Sequence, residues 1–219
     1  MSARSKIRRL ASAATDFIRS DRKINRLRNC CRWRIFDLRL RKQSRLNRAF
    51  DARFGTDTAS EVVLVDSGVP VADAAQGNNL YRPMFSSSFH AAMKRLPLNF
   101  SEFTFVDLGS GKVKMIMLAA DYNFKHIVGV EYSLLPHKIA AGNFRTYSSL
   151  SQKCSSFEPI LGNVLDYQLP SGSVVCMIFN SFAPDIMRRA MHKLGHDAGS
   201  RADPVFVIYS NLRNVNETG

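Results

Sequence analysis

A glycine turn between two apolar runs holds the residues of this chain that could do chemistry. The first run, Phe103–Leu108, carries an acid, Asp107, one residue before its end, and Gly109 and Gly111 follow it. A helix-like segment then leads to a second run that ends in Glu131, 20 residues after Gly111. This order predicts a β-α-β unit that binds a nucleotide. The glycines would let the backbone approach the ligand, and Glu131 would accept hydrogen bonds from a ribose diol.

The acid before the glycine turn indicates which nucleotide the unit takes. A dinucleotide pyrophosphate needs bare amides and a helix N-terminus at this place, and the carboxylate of Asp107 would repel it. The methionyl end of S-adenosylmethionine carries an ammonium and a sulfonium, which a carboxylate tolerates and attracts. The residues therefore favour S-adenosylmethionine, and a dinucleotide stays open as the less favoured alternative.

The elements that must position these residues alternate along the chain. Apolar runs predict strands at about 103–108, 126–131, 157–161, 173–180 and 204–210. Helical spacing predicts helices at about 112–121, 134–147 and 184–194, with a leading helix at about 89–96. Strands separated by helices imply a mainly parallel sheet covered on both faces. The predicted fold class is α/β, a three-layer Rossmann-like sheet preceded by basic amphipathic helices.

Charge and composition divide the chain into three predicted parts. Residues 1–50 hold 16 Lys and Arg against three Asp, which accounts for the whole net charge of +13. Apolar residues at helical spacing predict one or two basic helices there, which either pack on the main domain or face the phosphates of nucleic acid or anionic lipid. Residues 51–100 predict a loop-rich connector with a leading helix, and residues 101–219 a cofactor-binding core that is short at its C-terminus.

The sequence lacks the residue patterns that several classes of function require. The four cysteines show no metal-ligand or redox spacing and the five histidines are scattered, so no metal site is predicted. No nucleophile elbow, phosphate-binding loop or paired-carboxylate motif occurs. No window of about 18 apolar residues predicts a transmembrane segment. The cysteine pattern predicts reduced thiols and a cytoplasmic location. The alternative is that the Arg-rich N-terminus is an organellar transit peptide.

The phrase Val106–Lys112, together with Gly129–Glu131, resembles the cofactor motif of class I S-adenosylmethionine-dependent methyltransferases. More narrowly, residues 50–212 resemble a poorly characterised bacterial methyltransferase family, which carries phrases similar to Phe50–Thr58 and Tyr81–Pro83. The resemblance implies a class I methyltransferase fold and S-adenosyl-L-methionine as the cofactor. It says almost nothing about the methyl acceptor.

The resemblance also implies roles for individual residues. The glycine turn would hold the methionyl part of the cofactor, and Asn163 would accept a hydrogen bond from the adenine amino group. Glu131 would bind both ribose hydroxyls, or alternatively cap the helix that follows it. Tyr81 would either close over the cofactor or only pack its own loop. The implied cofactor-binding residues are Asp107, Gly109, Ser110, Gly111, Glu131, Asn163 and Tyr81.

A second segment with implied chemistry is Phe179–Pro184, directly after the fourth predicted strand. It is similar to the Asn/Asp-Pro-Pro-aromatic motif of methyltransferases that act on amino or amide nitrogens. In that motif carbonyl oxygens accept hydrogen bonds from the target NH₂, and the aromatic ring stacks on its plane. The resemblance implies Asn180 and Phe182 as catalytic residues. Ser181 stands where the motif has proline, and an ordinary strand end before a helix is the alternative interpretation.

Two features depart from the family pattern. Val113 stands where a third glycine is usual, and its β-branched side chain adds volume where the helix starts. This leaves a degenerate, non-catalytic module that acts through its basic helices as the alternative function. The chain also ends about nine residues after the fifth predicted strand, without the usual C-terminal strand pair. An exposed edge strand, and a homodimer formed through it, are therefore predicted.

Overall fold

The computed structural model describes residues 38, 40–60, 62, 83–179, 182 and 184–210. The chain divides into two compact units, Met1–Leu46 and Asn47–Gly219. The basic helices predicted before residue 38 lie outside the described residues. The domain boundaries predicted from composition, at residues 50 and 100, stay predictions.

A five-stranded parallel sheet forms the centre of the second unit. Its strands are β1 (Phe103–Leu108), β2 (His126–Glu131), β3 (Phe157–Leu161), β4 (Ser173–Phe179) and β5 (Val205–Ser210). Their order across the sheet is β3-β2-β1-β4-β5, and every neighbouring pair is parallel. The chain thus winds outward from β1 to one edge and then returns to build the other, which is a Rossmann-like arrangement.

Helices cover both faces of the sheet, so the predicted three-layer α/β architecture is confirmed. The helices are α1 (residues 40–54), α2 (Ser86–Met93), α3 (Lys114–Ala119), α4 (Leu134–Thr146) and α5 (Pro184–Gly199). A 3-10 turn, Phe100–Glu102, leads into β1. Residues of α2, α3 and α4 share one apolar cluster with one face of the sheet, and residues of α5 share a second cluster with the other face.

The central strand shows how the sequence sorts its residues between the two faces. All six residues of β1 are buried, which is why it reads as an apolar run. Successive side chains of a strand point to opposite faces. Phe103 and Phe105 accordingly belong to the cluster of α3, and Val106 and Leu108 to the cluster of α5. The same alternation puts Asp107 on the face that α3 covers.

The predicted strands are confirmed nearly residue by residue. The first three have the predicted bounds, β4 ends at Phe179, and β5 begins at Val205. Pro159 lies within β3, and it is tolerated there because β3 is an edge strand of the described sheet. Helix α3 begins at Lys114 and not at residue 112, because residues 109–113 form a turn with positive φ at Gly109, Gly111 and Val113. It also ends at Ala119, two residues earlier than predicted.

The other edge of the described sheet is β5. Its residues Val207 and Tyr209 are exposed. The homodimer through this edge stays a prediction. Within the described part of the chain, no helix is both long and apolar enough to cross a membrane.

Gly129 of β2 lies close to both the glycine turn and α3. A Cβ atom at this position would lie 2.2 Å from Cδ1 of Ile116 and 3.0 Å from Oγ of Ser110. We expect Gly129→Ala to destabilise the protein by about 1–3 kcal/mol through overpacking, measured as a lower urea midpoint. The control Gly162→Ala, whose Cβ meets only Ile160 Cγ2 at 3.6 Å, should change the midpoint little. Equal effects at both positions would contradict the close approach.

Candidate functional site

The candidate site lies at the carboxyl ends of the strands, where the winding direction reverses between β1 and β4. Open parallel sheets bind their ligands in the crevice at such a switch point. Asp107, near the end of β1, is aligned with Gly129 of β2 on one side and Met177 of β4 on the other. Residues 109–113, called the glycine turn below, follow immediately, and Glu131 ends β2 beside them.

The amides of the glycine turn are bonded inside the protein. The N–H groups of Gly109 and Ser110 donate to the carbonyl oxygen of Val130, at 2.9 and 3.0 Å. The N–H of Gly111 donates to Oε2 of Glu131 at 2.7 Å. A phosphate bound at this place would need such N–H groups as donors. Because they already have acceptors, the turn is poorly suited to a pyrophosphate.

Asp107 is a buried acid with no hydrogen bond to its carboxyl group among the described residues. It is 2% exposed. Burial, and secondarily the neighbouring charge of Glu131, raises the pKa of Asp107 to about 8. The acid therefore carries its proton at neutral pH in the free protein. A cation placed beside it would favour the carboxylate form and would gain a charge-assisted interaction in return.

Glu131 joins the glycine turn to the start of α4. It is 8% exposed, and its Oε1 accepts the N–H of Ser133 at 2.7 Å while Oε2 accepts that of Gly111. Burial raises the pKa of Glu131, and these two N–H donors oppose that rise. Ser133 is the residue before α4, so the alternative role as a cap of the following helix is present. A carboxylate oxygen can accept two hydrogen bonds, and ribose binding by Glu131 stays a prediction.

Val113 adopts the backbone conformation that explains why glycine is usual at this position. Its φ of 66° and ψ of 23° lie in the left-handed region, where it is the only non-glycine residue of the described chain. This conformation costs an L-residue roughly 1–2 kcal/mol and is an outlier for a β-branched side chain. The isopropyl group is fully buried in the apolar cluster of α3. It therefore does not project into an open pocket.

The structure adds buried polar residues beside the glycine turn that the sequence analysis missed. The ammonium of Lys112 is fully buried and lies 3.2 Å from Oδ1 of Asp57. It also donates to the carbonyl oxygen of Ser60 at 2.8 Å and to the Ser60 hydroxyl. Asn143 of α4 bonds to the backbones of both Lys112 and Asp57. The signals in the sequence were the lysine directly after Gly111 and the phrase Phe50–Thr58.

The remaining predicted residues lie elsewhere or outside the described chain. Asn163 is partly exposed, and its Oδ1 accepts the N–H of Leu165 at 2.9 Å, which closes a turn after β3. Phe182 is partly buried and packs against the cluster of α5. Tyr81 and Asn180 fall outside the described residues. Their roles, like those of Asn163 and Phe182, stay predictions.

No metal centre is found among the described residues, where no three His, Cys, Asp or Glu side chains lie close enough to hold an ion. Two of the cysteines, Cys154 and Cys176, are free and buried. Burial raises the pKa of the Cys176 thiol to about 12, so this group is inert at neutral pH.

The chain is similar to solved structures of methyltransferases over about half of its length. One is an RNA methyltransferase from Salinibacter ruber, in complex with S-adenosylhomocysteine, with 15% sequence identity and a TM-score of 0.43. The match covers 53% of this chain and 71% of the other. A S-adenosylmethionine-dependent methyltransferase from Thiobacillus denitrificans is 22% identical with a TM-score of 0.34, covering 45% of this chain and 37% of the other. The methyltransferase domain of the bacterial protein CtHen1-CN is 15% identical with a TM-score of 0.39, covering 50% and 56%.

These similarities are distant, and two of the three reach little more than half of the other protein or less. The sequence matches no protein-family model, and it matches no curated protein. With TM-scores of 0.34–0.43, the solved structures establish neither a family nor a substrate for this chain. The Rossmann-like fold rests on the strand order of the chain itself.

The backbone of Val113 predicts an unusual order of stabilities. At an ordinary buried position, alanine is more stable than glycine by roughly 0.5–1 kcal/mol. We therefore expect Val128→Ala to be more stable than Val128→Gly, because Val128 is a buried residue of β2. At Val113 we expect Val113→Gly to be more stable than Val113→Ala by about 1 kcal/mol, because only glycine adopts positive φ without cost. Urea unfolding of the four variants measures this. The same order at both positions would contradict the left-handed conformation.

The raised pKa of Asp107 predicts a stability that depends on pH. The folded state holds a proton on this acid up to about pH 8, whereas the unfolded chain releases it near 3.8. Stability should therefore fall as pH rises between these values, by up to about 1.4 kcal/mol per pH unit. We expect Asp107→Asn to show a smaller fall than the wild type. The exposed control Asp203→Asn should keep the wild-type slope in urea unfolding, and an unchanged slope in Asp107→Asn would show that Asp107 ionises normally.

Proposed function

We propose that this chain is a S-adenosylmethionine-dependent methyltransferase that transfers a methyl group to an unidentified acceptor, with nitrogen favoured. One observation carries the proposal. Asp107 is a buried acid without a hydrogen-bond partner among the described residues, at the switch point of a Rossmann-like sheet. Beside it, the amides of Gly109, Ser110 and Gly111 already have acceptors. Such a site suits a cationic nucleoside ligand better than one that carries a pyrophosphate.

The residues present fit the cofactor by their chemistry. Asp107 supplies a carboxylate for the ammonium of the methionyl part, and the glycine turn supplies backbone without side chains at Gly109 and Gly111. Glu131 supplies acceptor lone pairs for the two ribose hydroxyls at the end of the adjacent strand. Asn163 is proposed for the adenine and Tyr81 for covering the bound cofactor, both on the resemblance alone.

The protein's contribution to the reaction is binding, orientation and exclusion of water. S-adenosylmethionine supplies an electrophilic methyl group on a sulfonium when it is bound. Asp107 gives up its proton to solvent as the cationic ligand arrives, and its charge then fixes the methionyl end. Holding the acceptor in line with the methyl group supplies most of the rate, so no strong base is required.

The acceptor is proposed to lie after β4, across the switch point from Asp107. Residue 180 follows directly on Phe179, the last residue of β4. There Asn180 would accept hydrogen bonds from an NH₂ group of the acceptor, and Phe182 would stack on its plane. Phe182 is partly buried and packs against the cluster of α5.

Calorimetry with S-adenosylhomocysteine tests the proposal. We expect binding in the low-micromolar to millimolar range, with the affinity rising by up to about tenfold per pH unit between about pH 6 and about pH 7.5. The rise follows because Asp107 must lose its proton before it attracts the ligand ammonium. Asp107→Asn should bind more weakly and without this pH dependence. No heat and no thermal shift at saturating ligand would remove the proposal.

A second candidate function follows from the strained backbone at Val113. A degenerate module would bind no cofactor and would contact nucleic acid or an anionic surface through residues 1–50, which carry the entire net charge. This candidate is favoured if the wild type binds no S-adenosylhomocysteine and Val113→Gly gains binding. Nucleic-acid binding that weakens steeply with salt, and vanishes when residues 1–50 are deleted, would support its phosphate contacts. Binding of the cofactor by the wild type would overturn it.

A further inference from the structure

Lys112 places a charged group at the end of the glycine turn with no exposure to water. Its side chain is 0% exposed, whereas the side chain of its partner Asp57 is 47% exposed. A buried ammonium is costly unless it is paired and hydrogen-bonded. Three acceptors of this ammonium, namely Asp57 Oδ1, Ser60 O and Ser60 Oγ, come from one short segment of the chain. Residues 57–60 therefore hold the side chain of Lys112 in place.

The backbone of Lys112 is held by the same segment through Asn143. The side-chain Nδ2 of Asn143 donates to the carbonyl oxygens of Lys112 and Asp57, both at 3.0 Å. Its Oδ1 accepts the N–H of Asp57 at 2.7 Å. Asn143 is buried in α4. Lys112 is thus fixed at both ends, by its ammonium and by its carbonyl group.

The segment that holds Lys112 is itself ordered by Asp51. One oxygen of this carboxylate accepts the hydroxyls of Thr56 and Thr58 and the N–H of Thr58, at 2.8–2.9 Å. The other accepts the N–H of Ala59 at 2.7 Å. Four hydrogen bonds to one side chain leave residues 56–59 little freedom before they reach Lys112. The contact is therefore made by a preorganised loop and not by a flexible tail.

Lys112 lies between two residues with positive φ, Gly111 at 52° and Val113 at 66°. A β-branched residue keeps such a conformation only when its surroundings impose it. We propose that Asp57, Ser60 and Asn143 are positioning residues that hold the glycine turn, through Lys112, in the conformation that binds the cofactor. The link to the cofactor rests on the proposed function. In this proposal the loop at residues 56–60 contributes to the site.

The variant Lys112→Met tests this proposal with two measurements. Hydrogen exchange of the amides of residues 109–113 should become at least about tenfold faster, while the amides of α5 change little, because only the turn loses its support. The dissociation constant for S-adenosylhomocysteine should rise at least about tenfold. Asn143→Ala, which removes the contacts to the backbone, should change both quantities in the same direction.

Lys114→Met is the matched control. Lys114 is also fully buried, donates to Asn47 and lies 5.3 Å above the ring of Phe50, but its backbone belongs to α3 and not to the turn. We expect hydrogen exchange of residues 109–113 and the affinity for S-adenosylhomocysteine to stay close to wild type in this variant. The comparison is made under conditions where the variants have equal free energies of unfolding. If Lys112→Met and Lys114→Met act alike on turn exchange, Lys112 serves only general stability and the proposal is overturned.

The two measurements separate the proposal from the proposed function. A wild type that binds no cofactor would remove the proposed function and the link to cofactor affinity. Unchanged exchange of residues 109–113 in Lys112→Met would overturn the positioning role whether or not the wild type binds. Faster exchange in the turn with unchanged affinity would contradict the part of the proposal that concerns the cofactor.

Discussion

The passage from β1 into α3 imposes the constraint on which the candidate site depends. The chain must leave a buried strand and start a helix within five residues, and it does so with positive φ at Gly109, Gly111 and Val113. The turn is closed against β2 by the bond from Gly111 to Glu131 and packs on β2 where Gly129 has no side chain. The position of every group proposed for the cofactor follows from this turn.

The electrostatics of the site follow from the same geometry. Because the amides of the turn bond inward to Val130 and Glu131, the turn supplies few donors for an anion. Asp107 is left buried without a hydrogen-bond partner among the described residues, and its pKa is raised to about 8. Burial of this acid costs the free protein some stability, and the proposed cationic ligand would offset that cost by favouring the carboxylate form.

Most of the fold could be predicted from the sequence because of how parallel sheets bury their strands. Runs such as Val174–Ile178 are apolar on both faces and end where a loop begins, so their bounds are visible without a structure. Asp107 and Glu131 could be found for a related reason, since an acid at or next to the end of an apolar run is conspicuous. Their spacing around two glycines supplied the rest of the prediction.

The partners of Lys112 could not be predicted, because they come from distant parts of the chain. Asp57 lies 55 residues before it, and Asn143 lies 31 residues after it. Polar residues in a loop also look the same in sequence whether they are solvated or buried. Val113 was recognised as a departure from the family pattern, but its φ angle and its burial in the apolar cluster of α3 required the structure. The hydrogen bond by which Asn163 closes the turn after β3 also required the structure, and its role at the adenine stays a prediction.

The central claim is that Asp107 is protonated in the free protein and loses its proton when it binds the cationic end of the cofactor. A carboxyl ¹³C NMR titration of Asp107, with and without saturating S-adenosylhomocysteine, tests it most directly. The account predicts a midpoint near pH 8 in the free protein and a lower midpoint once the ligand is bound. A midpoint that stays where it is when the ligand binds would contradict the account.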